Sequence, residues 1–307
     1  MLRRLSGEPE QPRQYATFRA LDFKHGSVTE CSCDPDGLGN YFVPSDKPFS
    51  TSPAFLRPEV ILRYKQDPGK YSVEDRIIHC RGTWTLRYDV NDAGQVHAYL
   101  IDLSQLPYSE QLYWQSFNED PRAAISERSF ASDFNAEWDT FENPLESLKQ
   151  RLTNFPKVVQ QGLAVDVWRM SPEARRRGYL RLAYVLTRST KEWEDQVLAL
   201  TQVLVESLSK TRLRALAKHL NCDDPQVGSL KLLRRCLDAR DVDQEVIDEC
   251  VKPLEELNMW RSKASAHGGG SAPTGDLRQH YRGLVERCDT AMETLAELIR
   301  AHMLDIP

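Results

Sequence analysis

The stretch DLRQHYRGLVERCDTAMETLAELIRAHML, residues 276–304, decides the architecture of the second half of the chain. Leu277, Tyr281, Leu284, Cys288, Ala291, Leu295, Leu298 and His302 recur at alternating spacings of four and three. That period puts one continuous apolar stripe on a helix. At 1.5 Å per residue the helix would be roughly 40 Å long. A stripe of that length has to be covered by helices of similar length, so an antiparallel bundle is expected, and the same stripe can serve as a dimer seam.

Working upstream, Val242 to Trp260 carries a stripe of Val246, Cys250, Leu254 and Leu257. Pro253 lies inside this helix, where its missing N–H predicts a kink or a break. Shorter helices are expected over Thr211 to Leu220 and Ser229 to Ala239, separated by Asn221-Cys-Asp-Asp-Pro225. Lys191 to Ser209 repeats the pattern with Trp193, Val197, Leu200, Leu204 and Leu208. Ser171-Pro172-Glu173 is a helix start, with a capping serine before a proline at the first helical position.

The first half reads differently. Phe18–Phe23 and Ser27–Cys31 flank Lys24-His25-Gly26 as a hairpin. Pro58 to Lys65 predicts a short helix. Thr83 to Val90, a turn at Asn91–Gly94, and Val96 to Leu103 predict a second hairpin with Trp84, Leu86 and Tyr88 on one face. An aromatic helix follows over 106–117, and Leu145 to Leu152 is helical. The expected organisation is an α+β domain over residues 1–165, a connecting segment over 166–188 and an all-α bundle over 189–307.

Composition sets limits. The chain has 307 residues, 40% hydrophobic and 28% charged, which is enough to bury two cores. A net charge of −5 gives no global field for nucleic acid, so contact with RNA must use a local patch. The opening residues are too polar for a signal peptide, and no apolar run spans a bilayer. Seven scattered cysteines fit reduced thiols. A cytoplasmic protein without membrane contact is expected.

Chemistry concentrates at Leu257-Asn-Met-Trp-Arg-Ser-Lys-Ala-Ser-Ala-His267-Gly, which runs into the glycines at 268–270. Arginine holds phosphate, and a histidine titrating near neutrality moves the proton of a ribose 2′-hydroxyl. Arg261 and His267 are six positions apart, so on one regular helix they would point about 120° from each other. They converge if the helix ends between them, or if two chains meet across a twofold axis. The bare spacing recurs at Arg19…His25 and before His219, but only the 261–267 pair precedes a glycine loop.

This stretch, followed by a loop and a long last helix, resembles the HEPN superfamily of small helical bundles from prokaryotic defence systems, toxins and RNA-processing enzymes. The resemblance covers about residues 189–307. It implies a metal-independent endoribonuclease that needs no cofactor, with Arg261 and His267 in the catalytic positions and Asn258 and Ser262 supporting them. It also implies an RNA substrate, a homodimer formed through the C-terminal helices, and a setting in bacterial antiphage defence or a toxin system. The residue after the arginine, often Asn, Asp or His in active members, is here the uncharged Ser262. The same residues also read as a plain helix end, with Arg261 favoured by the helix dipole and His267 bonding the last carbonyls. On that alternative the bundle is a non-catalytic dimerisation or partner-binding module.

Arg175-Arg176-Arg177, with Arg169, Arg181 and Arg188 nearby, reads either as an RNA-backbone contact or as a solvated helix face. Cys31-x-Cys33, near His25 and Asp34, lacks finger spacing, so free strand thiols are expected and no metal. Trp84, Trp114 and Trp138 read as core aromatics before a ligand-stacking surface. The N-terminal domain is left to sense a trigger, bind a protein partner or position the RNA.

Overall fold

The structure, a computed structural model, describes residues 13–40, 42–134, 143–161, 167–266 and 272–305. The chain divides into two compact units, residues 1–139 and 140–307.

The first unit begins with the hairpin of β1 (Thr17–Asp22) and β2 (Ser27–Ser32), paired in register from Thr17–Ser32 to Asp22–Ser27. Phe18 and Ala20 alternate into the core, and Gly26 takes the left-handed φ of 61° that the tight turn requires. β3 (Pro53–Leu56) is buried along its whole length. A 3-10 turn at Pro58–Ile61 then feeds α1 (Leu62–Gln66). β4 (Tyr71–Val73), β5 (Ile77–Cys80) and β6 (Trp84–Arg87) form a small antiparallel sheet. β7 (Asp89–Val90) and β8 (Val96–Tyr99) join the larger sheet, ordered β2-β1-β3-β8-β7. α2 (Leu100–Ser104), α3 (Tyr108–Gln115), β9 (Asn118–Glu119, paired to β3) and α4 (Glu127–Phe134) complete the unit.

The second hairpin expected from sequence is thus split between two sheets. β6 pairs with β5, and only the short β7 pairs with β8 across the Asn91 turn. The step falls at Tyr88, whose N–H donates to Arg76 O at 2.9 Å and whose hydroxyl donates to Glu74 O at 2.7 Å. These bonds hold Tyr88 to the segment that carries β5. Past Tyr99 the chain turns helical instead of continuing as strand. Trp114 is buried, and its indole N–H donates to the Tyr64 hydroxyl at 2.8 Å, so this aromatic cluster is core. Trp138 lies outside the described residues.

The second unit is helical: α5 (Pro144–Gln161), α6 (Pro172–Arg177), α7 (Thr190–Leu204), α8 (Lys210–His219), α9 (Ser229–Asp238), α10 (Gln244–Ala266) and α11 (Leu277–Arg300). Ser171 caps α6 by accepting from Ala174 N, and Ser189 caps α7. α11 buries its whole stripe from Leu277 to Leu298. It ends at Arg300 because His302 turns left-handed, with φ of 59°, and Met303 N–H bonds back to Leu298 O.

α10 and α11 run antiparallel, since Arg287 pairs with Glu256 while Thr294 donates to Glu249. α5 lies beside α11 in the same direction, Ser147 reaching Asp289 and Arg151 reaching both Asp289 and Glu293. The helical unit therefore starts ahead of α5, earlier than the sequence boundary at residue 165. Pro253 sits inside one unbroken α10, which packs against α7, α9 and α11. That packing outweighs the roughly 3 kcal/mol cost of a mid-helix proline. Among the described residues no helix is long and apolar enough to cross a membrane.

Candidate functional site

Arg261 lies in α10, five residues before Ala266, so the helix runs past Trp260, where the sequence stripe was expected to end. The alanines at 264 and 266 favour continued helix. His267 falls outside the described residues, and the geometry of the pair rests on Arg261 alone.

The Arg261 guanidinium faces Glu206, just past the end of α7, at 2.6 Å. The two side chains are 38% and 39% exposed, so the pair stands at an open surface. It lies on the wall of a groove of about 410 Å³. Val205, Glu206 and Leu208 form one side, Gly228 to Lys231 at the start of α9 another, and Glu255, Asn258 and Arg261 of α10 the third. Glu255 is itself paired with Arg234 at 3.0 Å. Asn258 shares the groove with Arg261. Ser262 is exposed, and its hydroxyl donates back to Asn258 O at 2.8 Å, one helical turn earlier. Glu206 was not singled out in the sequence. Its role depends on α7 ending where it does, and no local pattern marks it.

The arginines of α6 are all exposed. Arg177 pairs with Glu173 at 3.2 Å, and Arg175 lies over the Tyr179 ring at 5.5 Å. In the first unit, Cys31 and Cys33 are buried, and the Cys33 thiol donates to Gln111 Oε1 at 3.3 Å. Burial pushes the Cys33 thiol up to about 11. His25 turns to Asp22 at 2.6 Å. Among the described residues no group of three or more His, Cys, Asp or Glu is placed to hold a metal.

A polar cluster in the first unit escaped the sequence reading. Buried Asp89 accepts from Ser126 Oγ at 2.6 Å, Ser129 Oγ at 2.9 Å and Arg128 Nε at 2.8 Å, and lies 3.4 Å from Arg76 Nε. Burial alone would raise its carboxyl, but the bonds and charge of Arg128, with Ser126 and Arg76, outweigh that and hold it below the usual range. His97 Nε2 accepts the Ser126 N–H at 3.2 Å, and burial pushes its imidazole down to about 4. Asp133 binds Arg87 and the Tyr99 hydroxyl, each at 3.0 Å. Asp102 shares the small cavity formed by these side chains. Burial first, then neighbouring Asp133, push its carboxyl up to about 6 against the pull of Arg87. The available signal was a histidine, His97, set among the apolar residues of the strand expected from Val96.

Comparisons of the chain with protein-family models, with curated proteins and with solved structures return no match.

Proposed function

We propose that the chain is a metal-independent endoribonuclease, a cytoplasmic effector of bacterial antiphage defence or of a toxin system, whose helical unit is a HEPN-like bundle acting as a homodimer. The observation that carries this reading is Arg261 on the wall of an open groove near the end of α10. An always-charged guanidinium there is suited to a phosphate. In the reaction, His267 takes the proton of the ribose 2′-hydroxyl, and the 2′-oxygen attacks the adjacent phosphorus. The bond to the 5′-oxygen breaks and that oxygen is protonated, leaving a 2′,3′-cyclic phosphate and a 5′-hydroxyl. Arg261 stabilises the charge on the phosphoryl oxygens. The first unit would sense a trigger, bind a partner or position the RNA.

One observation favours a second reading, a non-catalytic dimerisation or partner-binding bundle. Arg261 has a carboxylate partner in Glu206, and the Ser262 hydroxyl is turned to its own helix. The deciding experiment is RNA cleavage in excess EDTA by the wild type, Arg261→Ala and His267→Ala, all folded and of equal oligomeric state. The ribonuclease reading expects cleavage by the wild type alone, with a loss of about 100-fold or more in each variant. Cleavage that survives both substitutions would refute the assignment of the site, and no cleavage by any of the three would favour the second reading.

A further inference from the structure

The segment that carries the exposed arginines is fastened at its start to the groove wall and at its other end to α7. At its start, Arg169 N–H donates to Ser207 O and Ser209 N–H to Val167 O, both at 2.7 Å, in a short antiparallel bridge centred on Trp168 and Leu208. Arg169 is therefore bonded to the residue between Glu206 and Leu208, which both line the groove. At its other end, Gly178 follows α6 and presses onto α7. A Cβ there would stand 2.6 Å from Val203 Cγ2 and 2.8 Å from Ala199 O, so only glycine allows this approach without displacement. Val203 lies less than one helical turn before Glu206.

Between these two anchors Arg169, Arg175, Arg176 and Arg177 are exposed. Among the described residues, Arg169 and Arg176 have no carboxylate within ion-pair distance, whereas Arg76, Arg87 and Arg128 of the first unit are tied to Asp89, Asp133 and Asp75. Positive charge left unpaired beside a groove that ends on another arginine suits a phosphate backbone. A groove of about 410 Å³ takes one strand, and an A-form duplex would meet it only through its outer surface.

We propose that Arg169 and Arg176 continue the Arg261 groove as a phosphate track for single-stranded RNA. This inference rests on the ribonuclease reading for the identity of the strand. The test uses the full chain carrying His267→Ala, with and without Arg169→Gln/Arg176→Gln, after matched melting temperatures and oligomeric states are verified. Binding of a labelled single strand of about twelve nucleotides is followed by fluorescence anisotropy across a range of salt. Each lost phosphate contact on a single strand lowers the slope of log K against log salt by about 0.7, so the double variant should lose about 1.4, with affinity down roughly tenfold at moderate salt.

An unchanged slope and affinity would overturn the track, as would equal use of these arginines by polyglutamate or by duplex RNA, or the absence of any RNA binding. Cleavage assays on chains that retain His267 separate the two ideas. Arginine-dependent binding with no cleavage leaves the track standing and removes the ribonuclease. Cleavage with an unchanged KM in the double arginine variant does the reverse.

Discussion

Replacing Asp102 by asparagine should stabilise the protein at neutral pH and expose a pH dependence that the wild type conceals. Asp102 faces a cavity that also holds His97, Tyr99, Asp133, Asp89, Arg76 and Arg87. Burial, then Asp133, raise its carboxyl from 3.8 to about 6 in the folded state. A raised acid contributes stability that is complete below its unfolded value and lost as pH climbs through the folded one. At about 1.4 kcal/mol per pH unit, a shift of about two units removes about 3 kcal/mol between pH 4 and 6. His97 acts in the opposite direction. Burial lowers it from 6.5 to about 4, so its contribution is complete above pH 6.5 and lost as pH falls to 4. That is again about 3 kcal/mol.

The two slopes nearly cancel in the wild type. With Asp102→Asn only the His97 slope remains. The variant should match the wild type at pH 4, exceed it by about 3 kcal/mol at pH 7, and gain that difference in between. The lowered Asp89 carboxyl acts below this window and leaves the comparison intact. The assay is urea unfolding of the full chain at several pH values, with pulsed hydrogen exchange read on peptides spanning 96–104 so that the first unit is followed by itself. An Asn variant less stable than the wild type at pH 7 would mean that the Asp102 carboxylate makes a favourable contact, and the reasoning would fail. Parallel pH profiles would refute it equally.

Two further predictions use the same denaturation method. Asp89→Ala leaves Arg128 with Asp75 alone and removes the acceptor from two buried serine hydroxyls. It should cost about 3–5 kcal/mol in the first unit, and a loss under about 1 kcal/mol would show that the cluster is not held by its carboxylate. Gly178→Ala places a methyl group against Val203 and two backbone carbonyls, those of Ala174 and Ala199. A loss of about 1–3 kcal/mol in the helical unit is expected, and an unchanged unfolding midpoint would show that α6 can shift without cost.

How much of this was legible in the sequence follows from how local each signal is. The α11 stripe from Leu277 to Leu298, the Ser171 cap and the first hairpin depend on neighbours a few residues away, and they stand where period and capping chemistry put them. The second hairpin was misread because apolar alternation sets which face is buried, not which strand is the partner. Tyr88 is chosen for the step between sheets by Arg76 and Glu74, which no window around the turn contains. The apolar stripe of α10 gives out near Trp260, so the sequence reading ends the helix there, while the polar turn that follows carries it on to Ala266. Of the candidate site, Arg261 and Asn258 could be named from their stretch. Glu206, the start of α9 and the bridge at Trp168 could not, because each meets the site only through tertiary packing.

The two units treat positive charge in opposite ways, and this bears on where RNA would be held. In the first unit Arg76 and Arg128, both largely buried, are spent on Asp89 and Asp75, where removing a carboxylate leaves a costly charge behind. Such arginines cannot turn to a phosphate without dismantling the packing of α4. In the helical unit Arg169 and Arg176 have no carboxylate partner among the described residues, and the backbone that presents them is held by the 207–209 bridge and by Gly178. Arg261 is intermediate, since its bond to Glu206 is at an open surface, where an ion pair is worth at most about 1 kcal/mol. On the proposed reading, binding energy for a polyanion is to be sought at Arg261, Arg169 and α6, and substitutions in the first-unit cluster should change stability well before they change RNA affinity.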